Sequence, residues 1–77
     1  MYNSPMNDLQ KVIGKNIAYY RKKCGLTQQD LAVKVDMDTG SISRMEVGKL
    51  SPRTKTLQKI AHVLKVEPYQ LLMPPKK

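Results

Sequence analysis

Hydrogen-bonding side chains gather between positions 39 and 53, namely Thr39, Ser41, Ser43, Arg44, Lys49 and Arg53. Their chemistry is recognition. A guanidinium donates as a fork to two acceptors, and guanine offers such a pair in the DNA major groove, worth about 1–3 kcal/mol of discrimination against a wrong base. Arg44 is therefore the candidate base reader, with a phosphate contact or a solvated charge as its alternatives. Thr39 can bond a base or touch a thymine methyl, Ser43 can bond a base or a phosphate, and Lys49 and Arg53 suit phosphates or water. Residue types that do catalysis are sparse. His62 falls on the polar side of a helical stripe, Asp36 and Asp38 flank a turn where capping accounts for both, and Cys24 has no His or Asn partner in view. No catalytic residue, metal site or cofactor is assigned. With one cysteine the sequence allows neither an internal disulfide nor a cysteine zinc site.

A helix about 10–12 Å across with its side chains fits a major groove ~12 Å wide, so these groups read bases only if one helix carries them outward. The spacing supplies that helix. Ile42 and Met45 recur at i and i+3 and give an inward stripe from Thr39 to Val47. At about 100° per residue the opposite face centres on Gly40 and Val47, flanked by Thr39, Ser43 and Arg44. A glycine inside so short a helix costs about 1 kcal/mol relative to alanine. Close approach of the backbone to a groove would account for Gly40, as would tolerance near a helix start. Ser41 lies to one side, where it would meet a phosphate or help the helix begin, and Asp38 is the expected N-cap. The preceding helix, Gln28 to Val35, buries Leu31, Ala32 and Val35, and Thr27 with Asp30 forms an approximate capping box at its start. The free amides of that first turn favour an anion.

Three more helices are expected. The first, Asp8 to Lys23, places Leu9, Val12, Ile13, Ile17 and Tyr20 on a core face, and Gly25 suits the left-handed position past its end. The fourth, Thr54 to Leu64, buries Leu57, Ile60, Ala61 and Leu64, and either Ser51 caps it or it begins later. A short fifth opens at Pro68 and reaches Met73. Its Tyr69, Leu72 and Met73 would pack on the protein's own core or contact a second copy. Residues 1–7 read as a loose tail and 74–77 as a basic one, which leaves 8–73 as a single all-α, five-helix domain.

Fourteen Lys and Arg against six Asp and Glu give a formal charge of +8, which favours a polyanionic partner. No apolar run approaches the ~20 residues of a spanning helix, and residues 1–5 lack the pattern of a secretory signal. The expected setting is the cytoplasm, at the nucleoid, with no membrane and no metal partner.

Leu26-Thr27-Gln28-Gln29-Asp30-Leu31-Ala32 resembles the opening, and Ile42-Ser43-Arg44-Met45-Glu46-Val47-Gly48 the close, of the helix-turn-helix in the lambda-repressor/Cro-like family. Leu57, Ile60, Ala61 and Leu64 extend the likeness, which covers roughly residues 12 to 73. The resemblance implies a double-stranded DNA-binding transcriptional regulator, usually a repressor that binds a palindromic operator as a homodimer. It implies that Thr39, Gly40, Ser43 and Arg44 face the bases, that Gln28 clamps a phosphate with Gln29 assisting, and that Arg21 and Glu46 form a structural ion pair. The sequence departs from the family at Asp36, where glycine is usual, and at Val47, where asparagine is common. An antitoxin or other partner-binding module with secondary DNA binding is the alternative. An RNA-binding role would lack a Phe or Trp stacking platform.

Overall fold

The structure, a computed structural model, describes residues 5–74, with the side chains of 5–8 left aside. Four α-helices follow one another: α1 (Pro5–Lys23), α2 (Gln28–Lys34), α3 (Thr39–Glu46) and α4 (Thr54–Leu64), and a single 3-10 turn spans Pro68–Leu71. No strand occurs among the described residues. α1 and α2 both pack on α3, and the 3-10 turn closes against α1 and α4. Ile17, Leu31, Ile42, Ile60 and Leu71 are the largest fully buried side chains, one from each of the five elements. Burying such a side chain is worth about 1.5–3 kcal/mol, so every element is tied to one common core.

All four α-helices end with the same pair of backbone bonds. After α1, Leu26 N–H donates to Arg21 O and Gly25 N–H to Lys22 O; after α2, Met37 N–H donates to Ala32 O and Asp36 N–H to Val33 O. The same pattern follows α3, through Lys49 and Gly48, and α4, through Val66 and Lys65. This terminator needs one residue in the left-handed region, usually glycine. Gly25 meets that need as expected, at φ 72°. Asp36 and Lys65 meet it without being glycine, at φ 60° and 63°. Aspartate bears this conformation better than most residues, so the turn between α2 and α3 forms without glycine there.

Several sequence expectations need correction. α1 starts at Pro5 rather than Asp8, so residues 5–7 of the expected tail are helical. Proline suits the first helical position, where its missing N–H has no partner to lose. Residues 1–4 of that tail, and 75–77 of the C-terminal one, lie outside the described residues. Leu9 is not core: it is 42% exposed, against 5% for Ile13 and 0% for Ile17. At 1.5 Å per residue, the 19-residue α1 is more than twice as long as the eight-residue α3 it crosses, and Leu9 lies near its outer end. Of the two starts left open for α4 the later one holds, since it begins at Thr54, as expected, with Arg53 at the cap. α2 and α3 each stop one residue short, with Val35 and Val47 as their C-caps.

The fifth helix is a 3-10 turn that ends at Leu71, not an α-helix reaching Met73. Asn16, buried on α1, uses its amide to donate to the carbonyls of Leu71 and Met73, and so holds this segment in place. Pro74 then blocks any helical continuation. Leu71 is buried, but Tyr69, Leu72 and Met73 are exposed.

Candidate nucleic-acid interface

α3 has two faces with different work. Inward, Ile42 and Met45 are buried against α1 and α2, and Glu46 turns back toward α1. Outward, Thr39, Gly40, Arg44 and Val47 are exposed and Ser43 is half-buried. The axial position of α3 is fixed by its start. Asp38 accepts the Ser41 N–H at 3.0 Å and the Ser41 hydroxyl at 2.7 Å. Those two bonds, hydroxyl first, hold the Asp38 carboxyl below its ordinary range, and the charge of Arg44 adds to them.

Ser41 departs from its expected place beside a phosphate. It is 9% exposed, and its hydroxyl is committed to Asp38 and to Arg44, whose Nη2 donates to it at 3.3 Å. Of the two roles considered for it, help at the helix start is the one its geometry performs.

The rotation of α3 is fixed at its other end. Arg21 donates from Nε to Glu46 Oε2 at 2.6 Å and from Nη2 to Oε1 at 3.0 Å, and its Nη1 reaches Leu26 O at 2.7 Å. The expected ion pair between the first and third helices is therefore present and bidentate. Its hydrogen bond to Glu46 raises the Arg21 pKa above the usual guanidinium value, against a smaller opposing effect of burial. Gln28 joins this group through Nε2, which donates to Glu46 Oε1 at 2.9 Å. Its side chain is thus turned to Glu46 rather than free for a phosphate.

α2 presents a capped start. Thr27 Oγ1 accepts the Asp30 N–H, and the Thr27 N–H donates to Asp30 Oδ2, both at 3.0 Å. The Thr27 N–H on Oδ2 holds the Asp30 carboxyl below its ordinary range, and the Thr27 hydroxyl adds to this. The amides of Gln28 and Gln29 precede the first intrahelical bond, Leu31 N–H to Thr27 O, so as first-turn donors they have no partner inside the helix. Gln29, Lys49 and Arg53 are exposed.

Three supporting residues were missed by the sequence reading. Gly14 lies where α1 crosses the end of α3: a Cβ there would run into Met45 O and stand 2.8 Å from Glu46 O. Gln10 Nε2 donates to Gly48 O at 3.0 Å and so ties the loop carrying Lys49 to α1. Asn16 holds the C-terminal segment, as described. A glycine in the middle of a long helix and an asparagine inside an apolar stripe were the available signals for Gly14 and Asn16. Nothing local marks Gln10.

His62 and Cys24 are exposed, and the Cys24 thiol donates to Leu64 O at 3.5 Å. Among the described residues, no three His, Cys, Asp or Glu side chains are placed to hold a metal ion, and no helix is long and apolar enough to cross a membrane.

Residues 17–71 match a family described as helix-turn-helix. The chain is similar to an uncharacterized HTH-type transcriptional regulator, y4dJ, from Sinorhizobium fredii, at 31% identity over 67 residues and 87% of each chain. It is similar in structure to the hypothetical transcription factor NHTF from Neisseria, with TM-score 0.83 and 29% identity over 97% of this chain and 86% of the other. The restriction-modification controller protein C.AhdI from Aeromonas hydrophila is also similar, with TM-score 0.76 and 26% identity, covering 80% of this chain and 94% of that one.

Proposed function

The chain belongs to the helix-turn-helix family, lambda-repressor/Cro-like DNA-binding transcription regulators, and from that premise we propose that it reads a specific double-stranded DNA operator with α3 and acts as a repressor. The observation that carries this is the two-sided build of α3. Its inner face is fixed by Ile42, Met45 and Glu46, while Thr39, Gly40 and Arg44 stand outside with no part in the core. In a major groove, the Arg44 guanidinium forks onto guanine O6 and N7. Thr39 and Ser43 flank it with hydroxyls, and Gly40 lets the backbone approach the bases. The Gln28 and Gln29 amides, with Lys49 and Arg53, hold phosphates on either side and set the register. The Gln28 side chain serves this arrangement by steadying Glu46.

The exposed Tyr69, Leu72 and Met73 support a homodimer contact at the C-terminal segment. A dimer would place two copies of α3 about 34 Å apart on a palindromic operator. Its place of action would then be the cytoplasmic nucleoid, without cofactor or metal.

Selection of bound sequences from a random duplex pool at near-physiological salt, where charge attraction alone is weakened, tests this reading. An enriched palindrome with half-sites one helical turn apart is the expected outcome. Binding without enrichment, lost as salt rises, would overturn it and leave a protein-partner role such as that of an antitoxin.

A further inference from the structure

We propose that Asp38, Ser41 and Gly40 are positioning residues for Arg44 and together decide which base edge its guanidinium reaches. The proposal rests on the base-reading role given to Arg44 above. In the free protein this side chain does not trail into solvent. It folds back one turn along α3, where Nη2 donates to Ser41 Oγ at 3.3 Å. The Ser41 hydroxyl has a single proton, and Asp38 Oδ1 takes it at 2.7 Å, so toward Arg44 the oxygen acts only as an acceptor. That fixes the direction of the relay. Asp38 is held in turn by the bond from Ser41 N–H to its Oδ2 at 3.0 Å, so the relay is anchored in the helix cap itself.

Gly40 supplies the space. A Cβ at position 40 would stand 3.2 Å from Arg44 Nη1 and 3.1 Å from Asp38 Oδ2. Alanine there would displace both side-chain ends by a few tenths of an ångström without meeting backbone outside the helix. Of the five N–H donors on an arginine, the relay uses one, and four remain for a two-bond fork to guanine. A long side chain already held near its bound position loses less freedom when it binds. The same small displacement that the fold absorbs easily spoils a fork that needs two bonds aligned at once.

The experiment first locates the base pair at which Arg44→Ala relaxes preference. Affinities for the selected duplex, for its variants at that base pair and for non-specific DNA are then measured for Ser41→Ala, Gly40→Ala and Asp38→Asn, each with and without Arg44→Ala. Asparagine caps a helix as well as aspartate, so Asp38→Asn removes the charge and keeps the cap. Thermal unfolding is followed in parallel. Gly40→Ala should unfold no earlier than the native protein, because alanine is the better helix former.

Ser41→Ala and Gly40→Ala should each lose about three- to tenfold of the discrimination at that base pair, part of what a guanine fork is worth. For Ser41→Ala, non-specific affinity and its salt dependence should stay unchanged. In the Arg44→Ala background Ser41→Ala should subtract nothing further. The relay is refuted if Arg44→Ala relaxes preference while Ser41→Ala and Gly40→Ala do not. It is equally overturned if the Ser41→Ala loss persists without Arg44, since Ser41 would then act on the DNA itself. If Arg44→Ala alone changes nothing, the base-reading role fails first and the relay with it.

Discussion

Arg21 and Arg44 each have a carboxylate nearby, but Arg21 is 8% exposed and makes two bonds to Glu46, whereas Arg44 is exposed and makes one 3.3 Å bond to a hydroxyl. The first sits in the seam between α1 and α3, the second on the outer face of α3. A buried charge must keep its partner, because removing one member leaves the other uncompensated in a low-dielectric setting. An exposed charge is solvated in the folded and unfolded chain alike and adds little to stability. α3 thus carries one charge tied into the fold, Glu46, and one exposed charge, Arg44.

The seam is where substitution should cost most. Glu46→Ala, which strands Arg21 and releases Gln28, should destabilise the fold by about 3–5 kcal/mol, measurable by urea or thermal unfolding. A loss under about 1 kcal/mol would mean that Arg21 reaches water and the contrast between the two arginines is weaker than drawn. Gly14→Ala tests the same seam by shape, because its Cβ meets the backbone carbonyls of Met45 and Glu46. About 1–3 kcal/mol of destabilisation is expected from such overpacking, although alanine is the better helix former.

Away from both regions, Lys65→Gly should stabilise the protein by about 1 kcal/mol, since a lysine at φ 63° bears a strain that glycine does not. No gain in melting temperature would show that Lys65 earns its place through a contact.

Acid should act on the helix caps. The Asp30 and Asp38 carboxyls titrate below their ordinary range when folded. Their contribution is therefore complete above the ordinary carboxylate pKa and is lost as pH falls through the lowered folded value. Arg21 is shifted the other way, so its guanidinium stays protonated across this whole range. Melting temperature should fall modestly on acidification, and Asp38→Asn should remove part of that fall. An unchanged slope in that variant would contradict the assignment.

What was legible in the sequence is what local chemistry sets. Thr27 and Asp38 cap helices within three residues of themselves, Gly25 ends one, and Ile42 with Met45 orients α3. The ion pair of Arg21 with Glu46 came through a family resemblance, not through spacing. What escaped was set across the chain. Asn16 meets Leu71 and Met73, and Gln10 meets Gly48, and no local periodicity connects such positions. The side chain of Gln28 was placed on a phosphate by its motif, whereas its partner here is Glu46 on another helix. The fifth helix failed on length: four residues and a following proline cannot repay the cost of starting an α-helix.

Arg44 lies outside the core, and one comparison tests most directly whether it reads a base. Native protein and Arg44→Ala are titrated with the selected operator and with variants changed one base pair at a time, after unfolding curves for both. The two proteins should be equally stable within about 0.5 kcal/mol, and Arg44→Ala should lose about 1–3 kcal/mol of discrimination confined to one base pair in each half-site. An Arg44→Ala protein that keeps its full sequence preference, or that is markedly less stable, would contradict this.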